Sequence, residues 1–225
     1  MRARALVLWS ELAPLEAASP DSSPDWPALV ARLPESLRAG IDEPLRESDR
    51  HLRLVGRLLL VAALQRLGAG ETAEALTFDR AGRPHLPGAL DPSISHTPGL
   101  ACAAVAVGCR IGVDVERHHE IEAALHQRIL TADEQQSVER SVDPAGQFLK
   151  FWTMKEAAAK ADGRGLQLDP RQLRCRLGAI FSGGSVRVED VRYRARTLPL
   201  PPEWIGTVAY DAPAIALTAE PYSFS

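Results

Sequence analysis

From Leu100 to Glu116 the chain reads LACAAVAVGCRIGVDVE. Leu100 to Val107 is an unbroken apolar run, small or β-branched after its first residue. It is far short of the ~20 residues a membrane-spanning helix needs and suits a buried strand. Gly108 closes it, and a second strand is predicted over Ile111 to Glu116. Alternation on that strand puts Ile111, Val113 and Val115 on one face and Asp114 with Glu116 on the other. Two carboxylates at that spacing repel each other. Either they are solvated acids on a half-exposed strand, or a divalent cation relieves the repulsion. Two oxygen ligands, with the rest from water and phosphate, is an arrangement that Mg²⁺ favours.

Downstream, helical patterns run over roughly Ile121 to Leu130 and Pro144 to Ala161. The second contains FLKFWTMKEAAAKADGRGL, Phe148 to Leu166. At about 100° per residue, Trp152, Glu156 and Lys160 share one helical face, with Lys155 beside Glu156. A plain surface pair of Glu and Lys at this spacing would contribute a few tenths of a kcal/mol and nothing more. Gly163 can cap the helix, and Gly165 permits close backbone approach. Strands are predicted around Leu173 to Leu177, Val186 to Tyr193, Ile205 to Tyr210 and Ala214 to Leu217.

Upstream, MRARALVLWSEL reads as a first strand and APLEAASPDSSPDWP, Ala13 to Pro27, as a loop. Arg46 to Leu67 is an amphipathic helix, with Leu52, Val55, Leu59 and Ala62/Ala63 recurring on one side and Gly68 ending it. Thr77 to Pro98 is turn-rich. Its segments AGRPHL (Ala81 to Leu86) and SISHTPG (Ser93 to Gly99) read as loops presenting Arg83, His85, Ser95, His96 and Thr97. Hydroxyls, a guanidinium and an imidazole together suit a phosphate, although loops are polar in any case. His118 and His119, being adjacent, do not point together and read as a solvated turn. The order of elements predicts an α+β fold of two similar α/β halves, residues 1–108 and 109–225, packed as one body and meeting near Gly108 to Arg110.

Composition narrows the functional classes. A chain of 225 residues is one large domain or two small, intimately packed halves. With 45% hydrophobic and 24% charged residues and a net charge of −3, it is not a disordered acidic chain and has no bulk electrostatic case for nucleic acid. Of its 26 basic residues only Lys150, Lys155 and Lys160 are lysines, all within the helix quoted above. In so Arg-rich a chain, a retained Lys suggests a need for a compact ammonium. Three cysteines without CxxC spacing suggest neither disulfides nor a zinc cluster, consistent with a reducing cytosol. The apolar start, Ala5 to Trp9, is too short for a signal-peptide core. A cytoplasmic protein with no membrane or nucleic-acid partner is expected.

GRP, SISHT, IGVDVE, the acid of LTADEQ and FWTMKEAAAKADGRGL follow one another in an order that resembles the 4'-phosphopantetheinyl transferases of the Sfp type, whose chain has two similar halves related by pseudo-two-fold symmetry. The resemblance runs from about Phe78 to Leu166, with a weaker echo in SDRHLRLVGR, Ser48 to Arg57. It implies a Mg²⁺-dependent enzyme of the holo-acyl-carrier-protein synthase type, with Mn²⁺ as an alternative ion. Phosphopantetheine would pass from coenzyme A to a serine of an apo acyl or peptidyl carrier protein in fatty-acid, polyketide or non-ribosomal-peptide synthesis, releasing 3',5'-ADP. By the same resemblance Asp114, Glu116 and Glu156 are the metal ligands and Lys160 meets the phosphates; Glu156 is also a candidate base for the serine proton. Arg83, Ser95 and His96 would contact the 3'-phosphoadenosine end. By the same resemblance Arg38 stands in for an N-terminal phosphate-binding base, at a spacing one residue shorter than the family's. Glu134 matches a further family acid. The stretch Arg117 to Gln135 corresponds to the region that meets the carrier, with Arg117 and Arg128 as steering charges, and a monomer is expected. GRP for GKP, SHT for SHS, GRG for GKG and Leu52 where a base often stands are departures from the family pattern, bearing on the nucleotide-end contacts more than on the chemistry. A non-catalytic binding module would have been favoured by loss of Asp114, Glu156 or Lys160, and a nucleotide hydrolase by a Walker-type loop, which the sequence lacks.

Overall fold

A computed structural model describes residues 2–12, 25–41, 46–79, 82–178 and 183–224. The loop expected from Ala13 lies, as far as residue 24, outside them. β1 (Ala3–Glu11), α1 (Trp26–Ala31) and α2 (Glu47–Arg66) open the chain. They are followed by the short β2 (Thr77–Phe78) and β3 (Pro84–His85), then β4 (Leu90–Thr97), β5 (Leu100–Val107) and β6 (Ile111–Arg117). The helices α3 (Ala123–Ile129), α4 (Ala132–Glu139) and α5 (Pro144–Asp162) come next. The chain ends with β7 (Arg174–Leu177), β8 (Gly183–Val188), β9 (Val191–Thr197), β10 (Trp204–Tyr210) and β11 (Ile215–Pro221). The fold is mixed α and β, as the element order implied.

Two sheets form the frame, one ordered β11-β1-β5-β4 and the other β6-β10-β9-β8-β7. Alternation on β1 and β5 supplies both faces of the first sheet. Leu6, Leu8, Ala101, Ala103 and Val105 pack under α2, while Val7, Trp9, Cys102 and Ala104 meet Ile111, Val113, Val115 and Val208 of the second sheet. That double burial is why Leu100 to Val107 is apolar at every position. The outer face of the second sheet is covered by α5, through Met154, Ala157, Ala158 and Ala161 against Val186, Val188, Tyr193 and Ala195. β11 pairs in parallel with β1, so the last strand returns to the first sheet. A division of the chain at residue 108 therefore does not coincide with the division into sheets.

Three local expectations are corrected. The turn-rich reading of Thr77 to Pro98, and of SISHTPG as a loop, gives way to an eight-residue strand, β4. It is an edge strand, where Pro92 costs no ladder bond and polar residues can serve another purpose. The single strand expected over Val186 to Tyr193 is two, with a turn at Glu189, whose φ is +51°, and Asp190. α4 was not foreseen, although Thr131 and Glu134 form a full capping box at its start, which is legible as T-x-x-E.

Candidate functional site

The site is set by how closely α5 lies on β6. Asp143 caps the helix by accepting from the backbone N–H of Gly146, Pro144 occupies the first turn, and Gly163 ends it in a left-handed conformation with φ +97°. Gly112 stands opposite the middle of the helix. A β-carbon there would collide with the Ala157 carbonyl and lie 2.6 Å from the Ala161 nitrogen. The glycine of IGVDVE thus admits the helix, and its two neighbours on the same strand face, Asp114 and Glu116, come to lie beside the helical face of Trp152, Glu156 and Lys160.

The contacts follow in antiparallel order. Lys160 Nζ donates to Asp114 Oδ1 at 2.7 Å and to the Val113 carbonyl at 3.1 Å, and Trp152 Nε1 donates to Glu116 Oε1 at 3.0 Å. Glu156 lies between them. Burial, then the Asp114 carboxylate, pushes its carboxyl up to about 7, with Lys160 opposing. Glu116 is raised for the same leading reasons. Asp114 is only 5% exposed, and its second oxygen, Oδ2, is buried without a hydrogen-bond partner.

A second set of contacts joins the two sheets. β4 and β6 are edge strands of different sheets, laced together by side chains. Asp91 Oδ2, Ser93 Oγ, Ser95 Oγ and Thr97 Oγ1 accept in turn from the backbone N–H groups of Ile111, Val113, Val115 and Arg117, at 2.6, 3.1, 3.3 and 3.1 Å. Every second residue of β4 satisfies every second donor of β6, so β6 buries its edge without an unpaired donor there. Ser95 Oγ also donates to Asp114 Oδ1 at 2.9 Å, and Thr97 Oγ1 to Glu116 Oε2 at 3.4 Å. The seam between the sheets therefore also orients the two acids. Nothing in the sequence pattern pointed to Asp91, Ser93 and Thr97 in this role, because the segment was read as a loop.

Asp114, Glu116, Lys160, Ser95 and His96 line a cleft of about 950 Å³ whose other wall includes Arg53, Arg57 and Phe78. Desolvation, then the Lys160 ammonium, holds the His96 imidazole below its usual value. Arg53 and Arg57, one turn apart on α2, donate to the carbonyls of Gly40, Leu37 and Ala39 and bring the 37–40 turn to the cleft. Arg57 was missed as a site residue. Ser95 is in the cleft wall, but its hydroxyl serves Asp114 and Val115. Arg38 and Arg83 are not brought together with these residues. Arg38 donates to the carbonyls of Leu33 and Ala31, bracing its own turn, and is absent from the cleft lining. Arg83 pairs with Asp91 at 3.2 Å and faces a separate cavity with Arg110 and Arg164. Glu134 and Lys155 form a buried pair at 2.7 Å. Lys155 Nζ also donates to the Ile129 and Pro170 carbonyls, and Glu134 Oε1 accepts from the Cys175 N–H. This pair ties α5 to the segments around it.

Among the described residues no three His, Cys, Asp or Glu side chains already stand as a metal-binding group. The donor set nevertheless fits a hard cation. It consists of oxygen ligands only, three carboxylates face one ammonium, and the oxygen Asp114 Oδ2 has no partner. A cleft combining such carboxylates with Lys160 and nearby guanidinium groups is equipped to hold a pyrophosphate.

Residues 110–189 match the family model described as the 4'-phosphopantetheinyl transferase superfamily. Residues 53–106 match the 4'-phosphopantetheinyl transferase N-terminal domain. The chain belongs to the 4'-phosphopantetheinyl transferases and is a transferase of that type, a family that uses coenzyme A and acts on carrier proteins. No curated protein matches it. No helix among the described residues is long and apolar enough to cross a membrane.

Proposed function

We propose that this chain, as an Sfp-type enzyme, transfers phosphopantetheine from coenzyme A to a serine of an apo acyl or peptidyl carrier protein. The observation that carries this reading is the convergence of Asp114, Glu116 and Lys160 on the cleft, with Asp114 Oδ2 unpartnered and Glu156 close enough to feel all three charges. Asp114, Glu116 and Glu156 would hold Mg²⁺. The bound ion would supply charge neutralisation at the pyrophosphate.

The chain's own groups account for the rest. Lys160 neutralises phosphate charge that grows as the bridging P–O bond breaks. Its bond to Asp114 keeps the ammonium in place before substrate arrives. His96, Arg53 and Arg57 line the part of the cleft left for the nucleotide end. The serine Oγ attacks the phosphorus that bears the pantetheine arm, a new P–O bond forms, and 3',5'-ADP departs with the bridging oxygen. The serine proton leaves to water or to Glu156, whose firmer role is as a ligand because a metal-bound carboxylate is a weak base. Trp152 and Thr97 fix Glu116, and Ser95 fixes Asp114, so the acids are oriented before substrate binds.

The test is the appearance of 3',5'-ADP from coenzyme A. Release that requires both an apo carrier and Mg²⁺ supports the reading. Coenzyme A binding with no release in the presence of several carriers points to a binding module instead. Cytoplasmic location and a monomeric state complete the proposal.

A further inference from the structure

Outside the cleft, the strongest charge feature is the face of β7, β8 and β9 turned away from α5. Strand alternation sends Val186, Val188, Tyr193 and Ala195 inward to the helix. The opposite face carries Arg174 and Arg176 on β7, Arg187 on β8, and Arg192, Arg194 and Arg196 on β9, all exposed. Their register is direct. Arg174 stands opposite Arg187, and Arg187 opposite Arg192, so three guanidinium groups form a row across three strands. Like charges directly opposite on neighbouring strands destabilise a sheet.

Few anions offset them. Asp190, in the β8–β9 turn, lies 3.8 Å from Arg187. None of the other five arginines has a carboxylate partner among the described residues. Residues 170–202 contain seven arginines and only two acids, Glu189 and Asp190, so this segment carries +5 while the rest of the chain carries −8. A general preference for Arg would scatter guanidinium groups over the surface. Here they occupy alternate positions of β7 and β9 and one of β8, all on one face.

We propose that this arginine face is a docking surface for an acidic protein segment, distinct from the transfer cleft. Carboxylates in an extended or helical segment pair with guanidinium groups in bidentate fashion, and a row of arginines in direct cross-strand register suits them. Among its described residues the face has no aromatic side chain on which the bases of a single strand could stack. The exposed apolar side chains of these strands among the described residues, Leu177 and Val191, alternate to the other face. Arg174, Arg176, Arg187 and Arg192 line a concavity of about 430 Å³ in this face, and the −8 carried by the rest of the chain disfavours a polyanion much longer than the patch. A compact acidic stretch is the ligand that gains from the patch without meeting its surroundings.

The experiment needs neither coenzyme A nor a carrier, so its outcome is independent of the proposed transfer reaction. A fluorescent short poly-L-glutamate peptide is titrated with the full chain and with R174Q/R187Q/R192Q, and anisotropy is read at low and raised salt. An outer-row variant, R176Q/R194Q, serves if the first does not fold. Affinity should fall at least about tenfold in either variant and fall steeply with salt in the wild type. Equal peptide binding by wild type and variant, or tighter binding of a DNA oligonucleotide or of phosphatidylserine vesicles by the same arginines, overturns the proposal.

Discussion

Lys160 Nζ lies 2.7 Å from one oxygen of Asp114, while the other oxygen of the same carboxylate is buried with no partner. A single side chain thus holds the Lys160 ammonium and keeps a second oxygen without a hydrogen-bond partner. D114N keeps the shape and removes the charge. Transfer is expected to fall by about 10²–10³, the scale for losing one preorganised electrostatic contact to the transition state. Steady-state kinetics at several Mg²⁺ concentrations check this, and turnover like that of the wild type sinks the assignment of Asp114. E156Q and K160A are expected to lose at least as much.

Ser95 was expected at the nucleotide. Its hydroxyl instead joins Asp114 Oδ1 to the Val115 N–H across the seam. S95A leaves a buried donor unsatisfied and should destabilise the protein by about 1–3 kcal/mol. It should also lower kcat with little change in coenzyme A affinity. Denaturant unfolding and equilibrium titration separate the two effects, and a loss confined to coenzyme A binding would instead support a nucleotide contact.

Glu156 makes the metal-free protein sensitive to pH. Its carboxyl titrates near 7 in the fold against 4.5 ordinarily, so between those values the folded state holds a proton that the unfolded state has released. Stability from this group therefore declines as pH rises through that window and is level above it. The melting temperature of E156Q relative to wild type, in chelator, should climb from pH 5 to pH 7.5. A difference that stays flat contradicts the raised carboxyl.

The Gly112 contact leaves no room for a side chain. G112A should push α5 away from β6, at a cost of about 1–3 kcal/mol or more, and abolish transfer, since Glu156 and Lys160 ride on that helix. Thermal melting together with the transfer assay would show it. An active, fully stable G112A means that the helix does not need this close approach.

The buried pair of Lys155 with Glu134 is structural in the same sense. K155M strands a buried carboxylate and should cost about 3–5 kcal/mol, and K155M/E134Q should recover much of it. Unfolding free energies of the four proteins in this cycle give the coupling, and simple additivity would mean that the ion pair contributes nothing.

What was legible in the sequence had a period. IGVDVE alternates, and Trp152, Glu156 and Lys160 repeat every fourth residue, so strand, helix and the shared face of the acids could be read before any contact was known. β4 could not, because Asp91, Pro92, Ser93 and Ser95 are turn-forming types. Their alternation has meaning only once β6 lies alongside with its N–H groups to satisfy. The positions of Arg38 and Arg83 were not legible for a related reason. A guanidinium reaches many partners, and nearby groups, the Leu33 and Ala31 carbonyls and the Asp91 carboxylate, claimed these two. Arg53 and Arg57 sat in a helix whose apolar side drew attention, while their charged side shapes the cleft. The arginine face was hidden in a composition already rich in Arg, and only the cross-strand register of β7, β8 and β9 shows that its members meet.

The central claim is that the carboxylates and Lys160 of this cleft perform group transfer. The intact mass of an apo carrier protein, incubated with coenzyme A and Mg²⁺ and either wild type or E156Q, tests it most directly. A gain of one phosphopantetheine with the wild type, absent with E156Q and absent in chelator, is the expected result. The same gain with E156Q, or in chelator, would contradict it.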